Sequence, residues 1–225
     1  MPHESTRNPS INRSPEGEIF PGTEVPLRRN GVLLVLLIGY AAFWAWLAIK
    51  PVNRQDWLLE NILLVLFLAV MALTYRRFRW SRLSYVLIAL FLCLHTIGAH
   101  YSYQQTPFDH WVKAMFSTQR SYYDRLVHFS FGFLLAYPAR ELLVRLLGLR
   151  GFASYALPAA VMMTGSAVFE IIEMLAASLV PSKLGALYLG LQGDPFDTQK
   201  DMGLGLIGAL LALAITAFRR RRKSE

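Results

Sequence analysis

GVLLVLLIGYAAFWAWLAI, residues 31–49, is nineteen residues without a charge, closed by Lys50-Pro51. At 1.5 Å per residue it is long enough to cross a hydrocarbon core of about 30 Å. The rest of the chain has the same character: 54% of its 225 residues are hydrophobic, 17% are charged, and the mean hydropathy is +0.35. A bilayer is therefore the expected solvent. The single cysteine, Cys93, lies in an apolar run, which excludes a disulfide framework or a Cys-x-x-Cys metal cluster within one chain.

Working outward, further apolar runs at about 57–75, 84–103, 125–147, 153–180 and 202–218 predict five more spans, an all-α polytopic bundle of six transmembrane helices over 31–218. Pro138 falls inside the fourth run, where a buried membrane helix tolerates a kink. Residues 1–30 are rich in Pro, Ser, Asn and charge and have no signal-peptide core, so they read as a disordered tail; 219–225 read as a basic tail. Of the 23 Lys and Arg residues, sixteen lie before span one, between spans two and three, in 140–150 and at the C-terminus. The other seven are Lys50, Arg54, Lys113, Arg120, Arg125, Lys183 and Lys200. The positive-inside rule then places both termini in the cytoplasm. It also accounts for the net charge of +8 without nucleic acid; the lipid bilayer is the expected partner, and the sequence carries no sign of an oligomeric state.

In that topology the ionisable residues gather at the extracytoplasmic ends of four spans. His100, Tyr101 and Tyr103 end span three, Asp124 and His128 begin span four, and Asp194, Asp197, Gln199 and Asp201 precede or begin span six. Glu170 and Glu173 lie about 10 to 15 Å inside span five, where a charge costs about 2.5 to 3.5 kcal/mol. Asp124/His128 and Asp197/Asp201 are spaced i,i+4 and Glu170/Glu173 i,i+3, so each pair shares a helix face. Such a cluster must take up protons, pair with Arg125 or Lys200, or bind a metal. Of these three outcomes the metal one would call for a divalent ion, since imidazole with carboxylates suits zinc, manganese, iron or magnesium; His100, Asp124, His128, Glu170, Glu173, Asp197 and Asp201 are the candidate ligands, although no strict ligand spacing such as His-Glu-x-x-His is present. Glu170, Glu173 and His128 are the candidate catalytic groups, as base, ligand or proton shuttle. His100, Tyr101, Tyr103, Arg125, Gln192, Asp194 and Gln199 are candidates for substrate binding.

Local structural roles compete for several of these positions. Asp194-Pro195 has the form of an N-cap and N1 pair, and Asp124 can begin span four in the same way. His95 reads as an interhelical hydrogen-bonder, and His110-Trp111 as an interfacial segment. Glu141 with Arg145 reads as an i,i+4 ion pair. Gly203, Gly205 and Gly208 read as a close-packing face, since no strand precedes them and no Lys-Ser/Thr follows. Spans one and two read as scaffold.

Gly98-Ala99-His100-Tyr101-Ser102-Tyr103, Tyr123-Asp124-Arg125-x-x-His128-Phe129, Ala139-Arg140-Glu141, Glu170-x-x-Glu173 and Gln192-Gly193-Asp194-x-x-Asp197-Thr198-Gln199-x-Asp201-Met202 together resemble the YjdF-like inner-membrane proteins of bacteria. The resemblance covers about 59–218. It implies a multi-spanning inner-membrane protein and brings no established activity. The order Asp-Arg-x-x-His-Phe, Glu-x-x-Glu and an Asp-rich last helix also resembles the VanZ-like proteins linked to glycopeptide resistance, departing from them at Glu173 and Gly205. Three readings follow: an enzyme acting on a lipid or lipid-linked head group, a small proton-coupled transporter, and a structural envelope-resistance protein.

Overall fold

The computed structural model describes residues 18, 20–189, 192 and 194–224. Among them are eight α-helices and no strand: α1 (Gly31–Leu47), α2 (Arg54–Thr74), α3 (Arg82–His100), α4 (Pro107–Phe116), α5 (Tyr123–Leu147), α6 (Ala153–Leu179), α7 (Ser182–Leu189) and α8 (Asp197–Ser224). Six are long and coincide with the six apolar runs. Four of these, α2, α3, α6 and α8, are both long and apolar enough to cross a membrane. At 17 residues α1 is apolar but shorter, and α5 carries Asp124, Arg125, Arg140, Glu141 and Arg145. Apolar side chains such as Val35, Ile38, Val65 and Leu73 are more than half exposed, as a lipid-facing surface requires.

Caps set the helix starts. Asn30 accepts from Leu33 N at 3.1 Å, Asn53 from Gln55 N at 2.9 Å, and Thr106 from Asp109 N at 3.0 Å, with Pro107 following. Gly148, at φ +66°, ends α5. The third run stops earlier than its hydropathy suggested, at His100, because Ser102 and Tyr103 adopt positive φ and turn the chain. The sixth extends further at both ends, taking in Asp197 and the basic residues up to Ser224. Short helices α4 and α7 occupy the two longer connections.

The expected N-terminal tail differs in its last third. Phe20 is 2% exposed, Arg82 N donates to Pro21 O at 3.0 Å, and Arg79 Nη1 donates to Glu24 O at 3.1 Å, so this segment is docked onto the bundle. Residues 1–17 lie outside the described residues.

The tightest packing is between α5 and α8. A Cβ on Gly132 would overlap the Gly205 carbonyl, and one on Gly208 would overlap the Phe129 carbonyl, so the two backbones touch where only hydrogen fits. Ala136 and Ala209, both 0% exposed, continue the seam. Of the three glycines expected to form a packing face, Gly205 and Gly208 do so; Gly203 has open space around it. A Gly132→Leu substitution is expected to lower unfolding free energy in detergent by about 3 kcal/mol through overpacking, while Gly203→Ala stays within about 1 kcal/mol of wild type. Chemical denaturation followed by circular dichroism checks this, and equal behaviour of the two variants contradicts it.

Candidate functional site

The seam has a second consequence at its open end. Along α5, Asp124, His128, Gly132 and Ala136 recur every four residues, and along α8 so do Asp197, Asp201, Gly205 and Ala209. The stripe that packs is thus the stripe that carries the polar groups one and two turns further on. α6 adds Met162, Ser166, Glu170 and Glu173 on its buried face. Ser166 packs against Gly205, and its hydroxyl, buried, has no hydrogen-bond partner.

Asp124, His128 and Asp201 each offer a ligand atom within 4.8 Å of the others. His128 Nε2 lies 3.6 Å from Asp124 Oδ1 and 3.3 Å from Glu170 Oε1. Asp201 is 2% exposed, yet its Oδ1 accepts no hydrogen bond; Arg125 Nε faces it at 4.0 Å without bonding. A buried carboxylate oxygen left open in this way is costly unless something completes it. Glu173, 9% exposed, and Glu60 of α2, 4% exposed, stand behind, within electrostatic range of Asp124.

Beside the cluster lies a cavity with about 40 Å³ open to the centres of water molecules, lined by His95, Tyr103, Asp124, His128 and Ser166 with Phe91, Phe131 and Phe169. That space has room for a few waters. Tyr103 and His95 are paired across it at 2.6 Å, and His95 Nε2 meets the Glu60 carbonyl at 3.2 Å. A carbonyl only accepts, so Nε2 carries the proton; in the neutral ring Nδ1 then accepts from the Tyr103 hydroxyl.

A network of arginines ties the start of α5 to the start of α8 beside the cluster. Arg120 bonds Asp197 and, at 3.2 Å, Asp194; Arg125 Nη2 bonds Asp194 at 2.8 Å and Asp197 at 2.9 Å. Lys200, which donates to Asp194 at 2.6 Å, together with the Phe196 N–H, holds the Asp194 carboxyl well below the usual carboxylate range. Asp194 therefore forms a turn just before α8 while also tying the α7–α8 connection to the start of α5. Gln192 joins this network by accepting from Ser121 N at 2.8 Å.

Of the candidate residues, Asp124, His128, Glu170, Glu173 and Asp201 come together, with Tyr103 on the cavity wall. Asp197, Asp194 and Arg125 form the ionic network beside them. The structure does not bring His100 to the cluster: its Nδ1 is 2.6 Å from the Leu47 carbonyl, and Val52 N donates to its own carbonyl at 2.9 Å, so it fastens α3 to the α1–α2 turn. Tyr101 packs edge-on against His100, away from the cavity, and Gln199 is exposed on α8.

Sequence reasoning missed several contributors. His95 lines the cavity as well as bonding between helices, and Arg120 is more than an outer-loop charge. Asp56 and Glu60, both buried, make α2 more than scaffold; their i,i+4 spacing was the available signal, concealed because acids in the first turns of a helix are commonplace. Asp109, 1% exposed, holds Tyr122 N at 2.7 Å and Tyr123 N at 3.1 Å, so an acid of α4 caps α5.

Comparison with known proteins adds the lineage. No solved structure matches the chain. Residues 32–222 match the family described as "Predicted membrane protein (DUF2238)". The chain is 33% identical over 192 residues, 85% of its length, to "Inner membrane protein YjdF" of Escherichia coli (strain K12), 88% of which is covered. With its apolar helices, this makes it a multi-pass inner-membrane protein. The chain belongs to the DUF2238 family of predicted membrane proteins.

Proposed function

We propose that the protein crosses the inner membrane six times with both termini in the cytoplasm, and that the Asp124, His128 and Asp201 cluster faces the extracytoplasmic side and holds a divalent cation. The cation serves a metal-assisted hydrolysis or transfer on the head group of a lipid or lipid-linked substrate. The observation that carries this reading is the open, buried Oδ1 of Asp201 within a three-residue set of nitrogen and oxygen donors. A cation there would polarise a phosphoryl or acyl oxygen and acidify a bound water. Glu170, 3.3 Å from His128, would take that water's proton, with Glu173 and Glu60 in electrostatic range of the same cluster. The substrate presents its reacting group to this ion, beside the Arg120 and Arg125 network.

A second reading, a proton-coupled carrier, draws on the number of acids: Glu60 and Glu173 exceed what one ion needs. Against it stands the end of the bundle where Phe20 docks: there Glu141, 0% exposed, accepts from Ser81 Oγ at 2.6 Å and pairs with Arg145, so this acid is already committed to local partners.

Two measurements test the proposal. Elemental analysis of protein purified without chelator is expected to find about one divalent ion per chain, lost in Asp201→Asn and His128→Gln. Chelator should lower the melting temperature of the wild type and leave those variants unmoved. Absence of metal together with indifference to chelator contradicts the cation site and leaves the carrier reading. Independently, reporters joined after Glu225 and within the Gln104–Thr106 turn are expected to be cytoplasmic and extracytoplasmic respectively. The reverse pattern, or both on one side, contradicts the topology.

A further inference from the structure

The cavity beside the cluster has features that an inorganic ion does not use. Phe91 of α3, Phe131 of α5 and Phe169 of α6 each bring a ring to it, and Val127 adds to the same apolar wall. Ring carbons are not ligands, so a metal ion entering that part of the space loses water and gains nothing in return. Three oxygens on three different elements also line it. Asp124 of α5 brings a carboxylate, whose lone pairs exceed what its neighbour His128 can use. Tyr103, in the turn after α3, gives its proton to His95 Nδ1 at 2.6 Å, which leaves its oxygen free to accept. Ser166 of α6 is 1% exposed, and its hydroxyl has no partner. A hydroxyl within a helix ordinarily bonds the carbonyl one turn back. Thr96 does so to Leu92 O at 2.7 Å, Thr164 to Ala160 O at 2.9 Å and Thr216 to Ala212 O at 2.8 Å, but Ser166 does not.

We propose that this cavity binds a primary ammonium group, the aminoethyl end of an amine-bearing head group or of a soluble amine. The three N–H donors on one such nitrogen answer the oxygens of Asp124, Tyr103 and Ser166, and the carbons behind it pack among the phenylalanine rings, which attract a cation as well as apolar surface. A quaternary ammonium has no N–H to give, so the oxygens select the primary amine. Charge favours the same ligand. A divalent ion on Asp124, His128 and Asp201 balances two carboxylates, whereas Glu60 and Glu173 also lie within electrostatic range of Tyr103 on the cavity wall. Size agrees, because an aminoethyl group is a chain of three heavy atoms, each about as large as one of the few waters that the space admits. The inference rests on the head-group reading for its substrate class and adds that the head group carries an amine.

The test separates the two sources of the amine. Full-length wild type and Ser166→Ala are melted in detergent at about pH 7, with chelator present throughout, against rising ethanolamine. Choline, ethylene glycol and sodium chloride at equal ionic strength are the controls. Both proteins are also melted in nanodiscs of phosphatidylglycerol mixed with either phosphatidylethanolamine or phosphatidylcholine. Ser166→Ala removes a single oxygen; should it fold poorly, Tyr103→Phe removes another and keeps the ring. A soluble-amine site predicts a saturable rise in melting temperature with ethanolamine in detergent, half-complete at a concentration at least about tenfold below that for choline. Ser166→Ala is expected to raise that concentration about tenfold, the loss of one charge-assisted hydrogen bond. A head-group site predicts the rise only in nanodiscs containing phosphatidylethanolamine, and a smaller one in the variant. The proposal fails if ethanolamine acts no differently from choline or the neutral glycol and phosphatidylethanolamine no differently from phosphatidylcholine, or if the variants respond as wild type does. Because chelator is present, these readouts need no bound metal: an amine response in protein that carries no metal contradicts the cation site alone, and metal without an amine response contradicts the ammonium site alone.

Discussion

Backbone contact between α5 and α8 governs this molecule. Apolar side chains gain little from leaving lipid for one another, so membrane helices associate through close packing and interhelical hydrogen bonds. Here Gly132 against Gly205 and Gly208 against Phe129 let the two helices approach until only hydrogen separates their backbones. With the helices locked at that register, the four-residue stripes cannot diverge. Asp124 and His128 must meet Asp197 and Asp201 one or two turns away, although about seventy residues separate them in sequence.

The two ends of the bundle then solve opposite electrostatic problems. At one end carboxylates predominate; Arg120, Arg125 and Lys200 neutralise Asp194 and Asp197, while among the described residues Asp124, Glu170, Glu173 and Asp201 beneath them have no lysine or arginine closer than Arg125 Nε, 4.0 Å from Asp201. A divalent ion or protons are the counter-charges that such a place can recruit. At the other end guanidiniums predominate. Glu141 is satisfied by Ser81, Ser84 and Arg145, and Arg145 by the Arg79 carbonyl at 2.7 Å and the Phe78 ring at 4.0 Å. Arg140, however, relies on Glu18, from the flexible-looking sequence before span one, so the N-terminal segment is part of the fold.

Much of this was legible in the sequence because the bilayer is a strict solvent. Six apolar runs of spanning length correspond to six long helices, and intramembrane acids at i,i+3 and i,i+4 face inward because lipid gives them no alternative. The ionic network was less legible. Asp194 and Asp197 have the local signature of helix caps, and nothing local reveals that Arg120, more than seventy residues earlier, reaches them. His100 was misleading for the converse reason: it shares a span with the cavity-lining His95 and Tyr103, but the chain turns at Ser102 and Tyr103, and that turn sends His100 towards Leu47 while Tyr103 folds back over the cavity. Periodicity reports helix faces, whereas such reversals depend on backbone angles that hydropathy does not encode. The docked segment around Phe20 was hidden by composition, since a few anchoring residues in a polar stretch leave its average unchanged.

In the proposed site one imidazole and the carboxylates beside it share one cation at the end of the α5–α8 seam. Electron spin-echo measurements on the Mn²⁺-loaded protein address it directly, because a bound imidazole imprints a nitrogen modulation on the metal signal. Modulation from a single histidine nitrogen is expected, abolished by His128→Gln and unaffected by His100→Gln or His95→Gln. Modulation that survives the loss of His128, or that disappears with His100, would contradict it.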